Sequence, residues 1–486
     1  MRLSELLREV EFEGSIKNDF DIKFVTDDSR LVRPGALFVC IRHRSFDGHT
    51  AAAEALASGA AAVVTQERLG LENELNVADS RAAYARLCAA LCGHPERKLR
   101  MIGVTGTNGK TTVTTLIRNI LSDSGIKTLL TGTVCNRLGE ESLPSGLTTP
   151  KPPELYSLLS RAVLSGCEAC VAEASSQALA QGRLEGIAFD AAVFTNITRD
   201  HLDYHGTFEN YLAAKKKLFE HSEVSAVNLD DPRADEIIAA SSGKTVTFST
   251  VLDCADYTAK NISLLPEGVS FELVSKGRIE HINFASPGLF SVSNAMAAAV
   301  CAINLGVDPR SAAQSLARSK GVCGRLERVE CGTPYSVIID YAHTPDGLEQ
   351  VLRALRPSCR GKLIVLFGCG GDRDKTKRPL MGAAACKYAD TVIVTSDNPR
   401  SEEPMKIIGD ILKGTDKKRR GLFIEEDRRR ATALALSLAK PGDTVLLAGK
   451  GHEKYQLICG EKSPLDERET VREILGLPHD TGRKKP

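Results

Sequence analysis

One pattern constrains this chain more than any other. Short apolar runs stop abruptly at glycine or polar residues, and stretches with helical periodicity separate them. MIGVTG (101–106), CVAEAS (170–175) and FDAAVFTNI (189–197) show it in the middle of the chain. SVIIDYAH (336–343), KLIVLFGCGG (362–371), DTVIVTSDNPR (390–400) and DTVLLAGKGHE (443–453) show it later. Runs that are apolar on both faces belong to parallel sheets covered by helices, because a strand with one wet face alternates instead. ALFVCI (36–41), an alanine-rich helix and GAAAVVT (59–65) form a smaller unit of the same kind. The chain therefore reads as α/β with three domains, at 1–98, 99–331 and 332–486. A turn-like Cys92-Gly-His-Pro95 and the charged ERKLR (96–100) read as the first linker.

A length of 486 residues, 42% hydrophobic and 26% charged, suits a globular chain of two to four domains. Lys plus Arg (63) against Asp plus Glu (62) leaves +1, which gives no field for wholesale binding of nucleic acid or an anionic membrane. The start, MRLSELLREVEFEG, is amphipathic and charged and lacks the apolar core of a signal peptide. No run has the length to span a bilayer, so a cytoplasmic protein is expected. The basic GRKKP at the end reads as a solvated tail. The 14 cysteines are scattered, and the CxxC at Cys167 and Cys170 has no second pair, so reduced core thiols are expected rather than a metal or redox site.

In parallel sheets, ligands bind beyond the carboxyl ends of the strands, and the informative motifs fall there. GVTGTNGKTT (103–112) leaves one apolar run and opens a helical one. Gly106 and Gly109 let main-chain N–H groups around Thr107 and Asn108 face an anion, and the helix start adds its positive end. Lys110 would reach the β and γ phosphates, and the Thr111 hydroxyl, beside Thr112, would take Mg²⁺. The spacing departs from GxxxxGK[ST], since Val104 stands where glycine is required. A guanine-reading Asn-Lys-x-Asp occurs nowhere in the chain, which argues against a switch GTPase.

Glu173 closes the next apolar run, and His201 follows the one after it in TNITRDHLDYH. Beside a phosphate loop, the two could converge on a metal bound to nucleotide phosphates, although His201 alone reads as a loop histidine. The lysine triplet of YLAAKKKL (211–218) reads as a solvated helix face, and composition does not choose among its three members. FGCGGD (367–372) looks like a dinucleotide turn but runs into the basic RDKTKR instead of a helix, so NAD is not expected.

Eight segments taken together carry a family resemblance: GTNGKTT, EASSQALAQGR, TNITRDHLDYHGTFENYLAAK, GRLERV, DYAHTPDGL, FGCGGDRDKTKRP, SDNPRSEEP and GKGHE. In order, and across all three domains, they resemble the Mur ligases, and within that family the branch that adds meso-diaminopimelate to a cell-wall precursor. The resemblance implies an N-terminal uridine-binding domain, a central P-loop ATPase-like domain and a Rossmann-like C-terminal domain that binds the amino acid. It implies an ATP-dependent amide ligase that forms an acyl phosphate on the D-glutamyl γ-carboxylate of a UDP-N-acetylmuramoyl dipeptide. Small molecules are then the partners, without nucleic acid or membrane, and a monomer is expected.

Carried over residue by residue, the implied catalytic set is Lys110, Glu173, His201 and Lys215. The implied Mg²⁺ ligands are Thr111, Glu173, His201 and Lys215, with Lys215 carbamylated (N6-carboxylysine) and chosen by the family's AAK register. The ATP set adds Asn294, Arg325, Asp340 and His343 to the phosphate loop. The UDP-substrate set is Ser29, His43 with Arg44 and Ser45, Thr148, Thr149, Ser175, Gln181 and Arg183. Arg42 and Asp27 stand where the family usually has a glycine and an apolar residue. The diaminopimelate set is Arg373, Asp397, Asn398, Pro399, Arg400, Gly449 and Glu453. Arg400 would fork the distal carboxylate, and Asn398 and Glu453 would receive the distal ammonium. A lysine-adding ligase would leave Arg400 unpaired. A folylpolyglutamate synthase would not account for the TDDSR-bearing N-terminal domain. A non-catalytic binding protein would not need Lys110, Glu173, His201 and Lys215 together.

Overall fold

The computed structural model describes residues 1–478 except 44, 45, 266, 320, 417 and 418. Three sheets follow one another along the chain. The first is four-stranded and wholly parallel, in the order Phe24–Thr26, Ala36–Val39, Ala62–Thr65, Glu74–Asn76. Helix Ser80–Leu91, capped by Asp79 accepting from the N–H groups of Arg81 and Ala82, packs over it. The segment expected to be a linker is structured. Pro95–Lys98 forms a turn of 3₁₀ helix with Pro95 and Glu96 buried, and Arg100 already begins a strand.

The central sheet has 11 strands. Five neighbouring strands within it are all parallel, in the order Ser222–Asn228, Phe189–Phe194, Arg100–Thr105, Ala169–Glu173, Thr128–Thr131. Every residue of Ala169–Glu173 is buried, as an uninterrupted apolar run requires when both faces are covered. Helix Lys110–Asp123 buries Val113, Leu116, Ile117, Ile120 and Leu121, the i, i+3, i+4 stripe of a helix lying on a sheet. Helix Leu289–Asn304 packs against that helix on the same face.

The third sheet runs Glu327–Arg328, Ser336–Asp340, Thr444–Ala448, Leu363–Phe367, Thr391–Val394, Leu422–Ile424. Apart from the short antiparallel Glu327–Arg328 it is parallel, with a separate apolar cluster on each face. The first two domains are joined differently. One apolar cluster runs from Leu37 and Leu87 through Leu155 and Leu159 to Phe189, Phe194 and Phe219. The cysteines are free thiols, and Cys167 and Cys170 are buried.

Candidate active site

The register of the central sheet builds the site. Val104 lies opposite Glu173, and Thr105 lies opposite Phe194, so three neighbouring strands release their chains at the same edge. Gly109 has φ +89°, and a Cβ there would fall 2.5 Å from Asn294 Oδ1. The loop is held from behind: Thr195 Oγ1 donates to Asn108 O (2.6 Å), the Asn108 N–H donates to Asn196 Oδ1 (3.0 Å), and Thr107 Oγ1 meets the Tyr211 hydroxyl (2.9 Å). Lys110 Nζ donates to the carbonyls of Gly106 (2.9 Å) and Thr107 (3.0 Å). Burial pushes its pKa down, while Glu173 and Asp200 pull it back up.

Glu173 is 1% exposed at the end of its strand. Its carboxylate accepts from Thr111 Oγ1 (3.1 Å), Thr133 Oγ1 (2.9 Å) and the Thr133 N–H (2.8 Å). A Cβ on Gly132 would fall 2.4 Å from Glu173 Oε1, so this approach needs glycine. Arg325, just before strand Glu327–Arg328, which joins the third sheet although it lies within the segment 99–331, donates from Nη2 to Thr111 Oγ1 (3.1 Å). Asp340 ends the first long strand of that sheet and accepts from the N–H groups of Leu326 and Ala342, each at 2.7 Å. His343 follows, its Nδ1 2.9 Å from Tyr341 O.

His201 takes a left-handed backbone, φ +54°, with Nε2 3.3 Å from Asp200 Oδ2. Burial outweighs the pull of Asp200 and holds its pKa below the usual histidine value, which favours the neutral imidazole at physiological pH. The lysine triplet is not a uniform solvated face. Lys216 is half-buried and Lys217 exposed, whereas Lys215 is 1% exposed. Its Nζ lies 4.6 Å from the Tyr211 ring centre and makes no hydrogen bond or ion pair among the described residues. Burial, reinforced by Lys110, pushes the Lys215 pKa well below the usual range.

These groups line one cleft of about 260 Å³: the loop from Gly106 through Thr112, Glu173, His201, Lys215, Asn294, Arg325, Asp340 and His343. Thr148, Thr149, Ser175 and Arg183 line it too. Thr149 Oγ1 donates to Glu173 O (2.7 Å), and Arg183 Nη1 donates to Thr149 O (2.7 Å) while its other nitrogens hold Gln181 Oε1. His43 and Gln181 line a second groove, of about 770 Å³, with Arg42, Arg81, Tyr204 and Lys217. Ser29 lies in the short turn Ser29–Leu31, on the wall of neither. Arg44 and Ser45 lie outside the described residues.

The remaining predicted residues gather at the carboxyl edge of the third sheet. Asp397 to Arg400 follow strand Thr391–Val394, Gly449 and Glu453 follow Thr444–Ala448, and Arg373 comes from the loop of the strand between them. Arg400 also has a left-handed backbone (φ +54°), and its Nη1 donates to Gly371 O (2.6 Å). Burial, and then neighbouring Arg373, push its pKa down. Arg373 is exposed, and Gly449 has φ +107°. Asn398 departs from expectation. Its Oδ1 already accepts from Lys450 Nζ (2.9 Å) and the Leu457 N–H (2.9 Å), and its Nδ2 donates to Glu453 Oε2 (2.9 Å). That oxygen is spent within the protein, which leaves Glu453 as the freer acceptor for an ammonium.

Residues 104–302 match the Mur ligase middle domain, 324–451 the Mur ligase glutamate ligase domain, and 21–89 the Mur ligase family catalytic domain. Over 487 residues the chain is 42% identical to the UDP-N-acetylmuramoyl-L-alanyl-D-glutamate--2,6-diaminopimelate ligase of Syntrophomonas wolfei subsp. wolfei, spanning 98% of this chain and 99% of that protein. This chain belongs to the Mur ligase family.

The Mur ligase is 43% identical over 479 residues to the protein of the same name from Caldanaerobacter subterraneus subsp. tengcongensis, with 98% and 99% of the two chains covered. Its fold matches a solved structure of a ligase of that name at TM-score 0.70 and 34% identity, covering 98% of this chain and 99% of that one. Sequence reasoning passed over three residues that this Mur ligase builds into its site. Thr133 holds both oxygens of Glu173, and nothing in its sequence setting marks it. Lys450 is 0% exposed, and the His452 ring lies 5.1 Å from that of Tyr341 at a tilt of 41°, its buried Nδ1 without a hydrogen-bond partner among the described residues. Both lie inside the GKGHE segment, where a lysine and a histidine between two predicted ligands were the available signal.

Proposed function

We propose that this Mur ligase joins meso-2,6-diaminopimelate to the D-glutamyl γ-carboxylate of UDP-N-acetylmuramoyl-L-alanyl-D-glutamate at the expense of ATP, in peptidoglycan precursor synthesis. The carboxylate attacks the γ-phosphorus of ATP, releasing ADP and forming an acyl phosphate. The substrate amine then adds to the acyl carbon, and the tetrahedral intermediate expels inorganic phosphate as the amine loses its proton. The observation that carries the reading is the hydrogen-bonded chain Glu173–Thr111–Arg325, which ties the phosphate loop to the amino-acid-binding side of the molecule at a single cleft. Full-length likeness to ligases of that name supports the same substrates.

The chemistry asks the protein to bring anions together and hold them still. Main-chain N–H groups of the loop and the start of helix Lys110–Asp123 face the phosphates, and Lys110 offsets their charge. Arg183 is a fork for an anionic part of the nucleotide substrate. Mg²⁺ suits the oxygen donors of Glu173 and Thr111, with neutral His201 and carbamylated Lys215 as further ligands. Such an ion would lie beside the nucleotide phosphates, whose oxygens are the donors a hard cation prefers. When bound, the ion neutralises charge between phosphate and carboxylate. Lys215 suits carbamylation because a buried amine held neutral is a nucleophile for carbon dioxide, and the product supplies an oxygen donor. ATP and a UDP-linked substrate assign the reaction to the cytoplasm, and a monomer carries every residue it uses.

The test is phosphate release from ATP, Mg²⁺ and the UDP-muramoyl dipeptide, with meso-diaminopimelate or L-lysine as acceptor. Diaminopimelate should be strongly preferred, and equal rates would remove the argument from Arg400. R400K should raise the KM for diaminopimelate about tenfold or more, as loss of a bidentate carboxylate contact does, with the ATP KM unmoved. A parallel loss of both would point to misfolding.

A further inference from the structure

Lys450 is a buried cation that no step above employs. Its Nζ donates to Glu453 Oε2 (2.8 Å) and Asn398 Oδ1 (2.9 Å) and stands 3.6 Å from Asp397 Oδ1. Removing an ammonium from water is costly unless acceptors surround it, and here they come from two separate strand ends.

This cation determines what its neighbours can offer. Turning the Asn398 amide over would set its NH₂ against two donors, Lys450 and the Leu457 N–H, so its orientation is decided. Both bonds to Glu453 from Lys450 and Asn398 land on Oε2, and Oε1 takes none among the described residues. Asp397 Oδ1 is buried with no hydrogen bond. Two carboxylates and one ammonium leave a single net negative charge beside the guanidinium groups of Arg373 and Arg400. That is the charge pattern for one ammonium next to one carboxylate, the distal end of a diamino diacid. Among the described residues, Glu467 paired with Arg428, together with His452, Tyr455 and Tyr341, also stands around this cluster.

We propose that Lys450 is a positioning residue for the amino-acid substrate: it holds Asn398 and Glu453 in one arrangement, presents Glu453 Oε1 to the incoming ammonium, and cancels one of two adjacent carboxylate charges. The inference rests on the reading of this edge as the amino-acid site.

The experiment compares wild type, K450M, E453Q and K450M/E453Q as full chains. Phosphate release is measured with meso-diaminopimelate varied at saturating ATP and UDP-muramoyl dipeptide, and then with ATP varied at saturating diaminopimelate. K450M should raise the diaminopimelate KM about tenfold and leave the ATP KM within about twofold. In the E453Q background, K450M should add little further loss. A K450M enzyme with a wild-type diaminopimelate KM overturns the proposal, as does a loss shared equally by ATP and diaminopimelate, or fully additive losses in the double variant. Should K450M alone not fold, the double variant, with both charges of the pair removed, should fold and match E453Q; if it does neither, the role is structural and the proposal falls. A wild-type enzyme that does not use diaminopimelate sinks the functional reading itself, so the two failures are distinguishable.

Discussion

Lys215, Lys216 and Lys217 show how far a single position can depart from its neighbours. Helix Phe208–Lys216 turns the first of the three into the cleft wall and leaves the last exposed. A buried amine without an ion partner loses its proton readily, so of the three only Lys215 has the chemistry for carbamylation. K215A should reduce turnover by about ten- to a hundredfold if the carbamate holds the metal, by analogy with the loss of a residue that supports a metal site. Short carboxylic acids should restore part of it, and K216A and K217A should stay near wild type. A fully active K215A in the phosphate-release assay would sink the assignment.

At the scale of elements, the parallel strands do the positioning, and their carboxyl ends need support of their own. Arg428, at the start of helix Arg428–Leu438, donates from Nη2 to Ala448 O (2.7 Å), and its Nε donates to Glu467 Oε1 (2.8 Å). It thus braces the strand that precedes Gly449, Lys450 and Glu453, and both partners of the pair are 1% exposed. Burial pushes the Glu467 carboxyl up, and Arg428 pulls it back. A carboxyl raised on folding favours the protonated native state, so its cost appears as pH rises above the unfolded value near 4.5. R428M should therefore cost roughly 3–5 kcal/mol in urea unfolding at neutral pH and distinctly less in mild acid, while E467Q costs less than R428M. An equal loss at both pH values would rule out the charge explanation.

At the scale of the molecule, the three domains are joined unequally. The first two share one apolar cluster, whereas the C-terminal sheet has its own two clusters. Its ties to the central loop include the hydrogen bonds Arg325–Thr111 and Asn108–Asp346. Between the first two domains, Lys151 Nζ reaches Asp27 Oδ2 (2.9 Å), and within the first domain the Tyr84 hydroxyl donates to Asp27 Oδ1 (3.1 Å). Through Lys151, Asp27 ties the Thr148–Thr149 segment to the first domain. D27A should raise the KM for the UDP-linked substrate roughly fivefold, the worth of about one hydrogen-bonded ion pair, and leave the ATP KM alone. An unchanged KM would show that the tie does not shape that site.

By itself, the sequence determined the α/β class, the strand ends where chemistry gathers, and the family. Apolar periodicity, glycine placement and the order of eight motifs are local properties that survive without coordinates. Only the tertiary structure decided which of three adjacent lysines is buried, that Asn398 spends its oxygen inward, that Lys450 and Thr133 belong to the site, and that residues 95–100 are folded rather than linking. Burial and hydrogen-bond partners come from strands far apart in the chain, and the identity of one residue carries no record of which distant group will reach it.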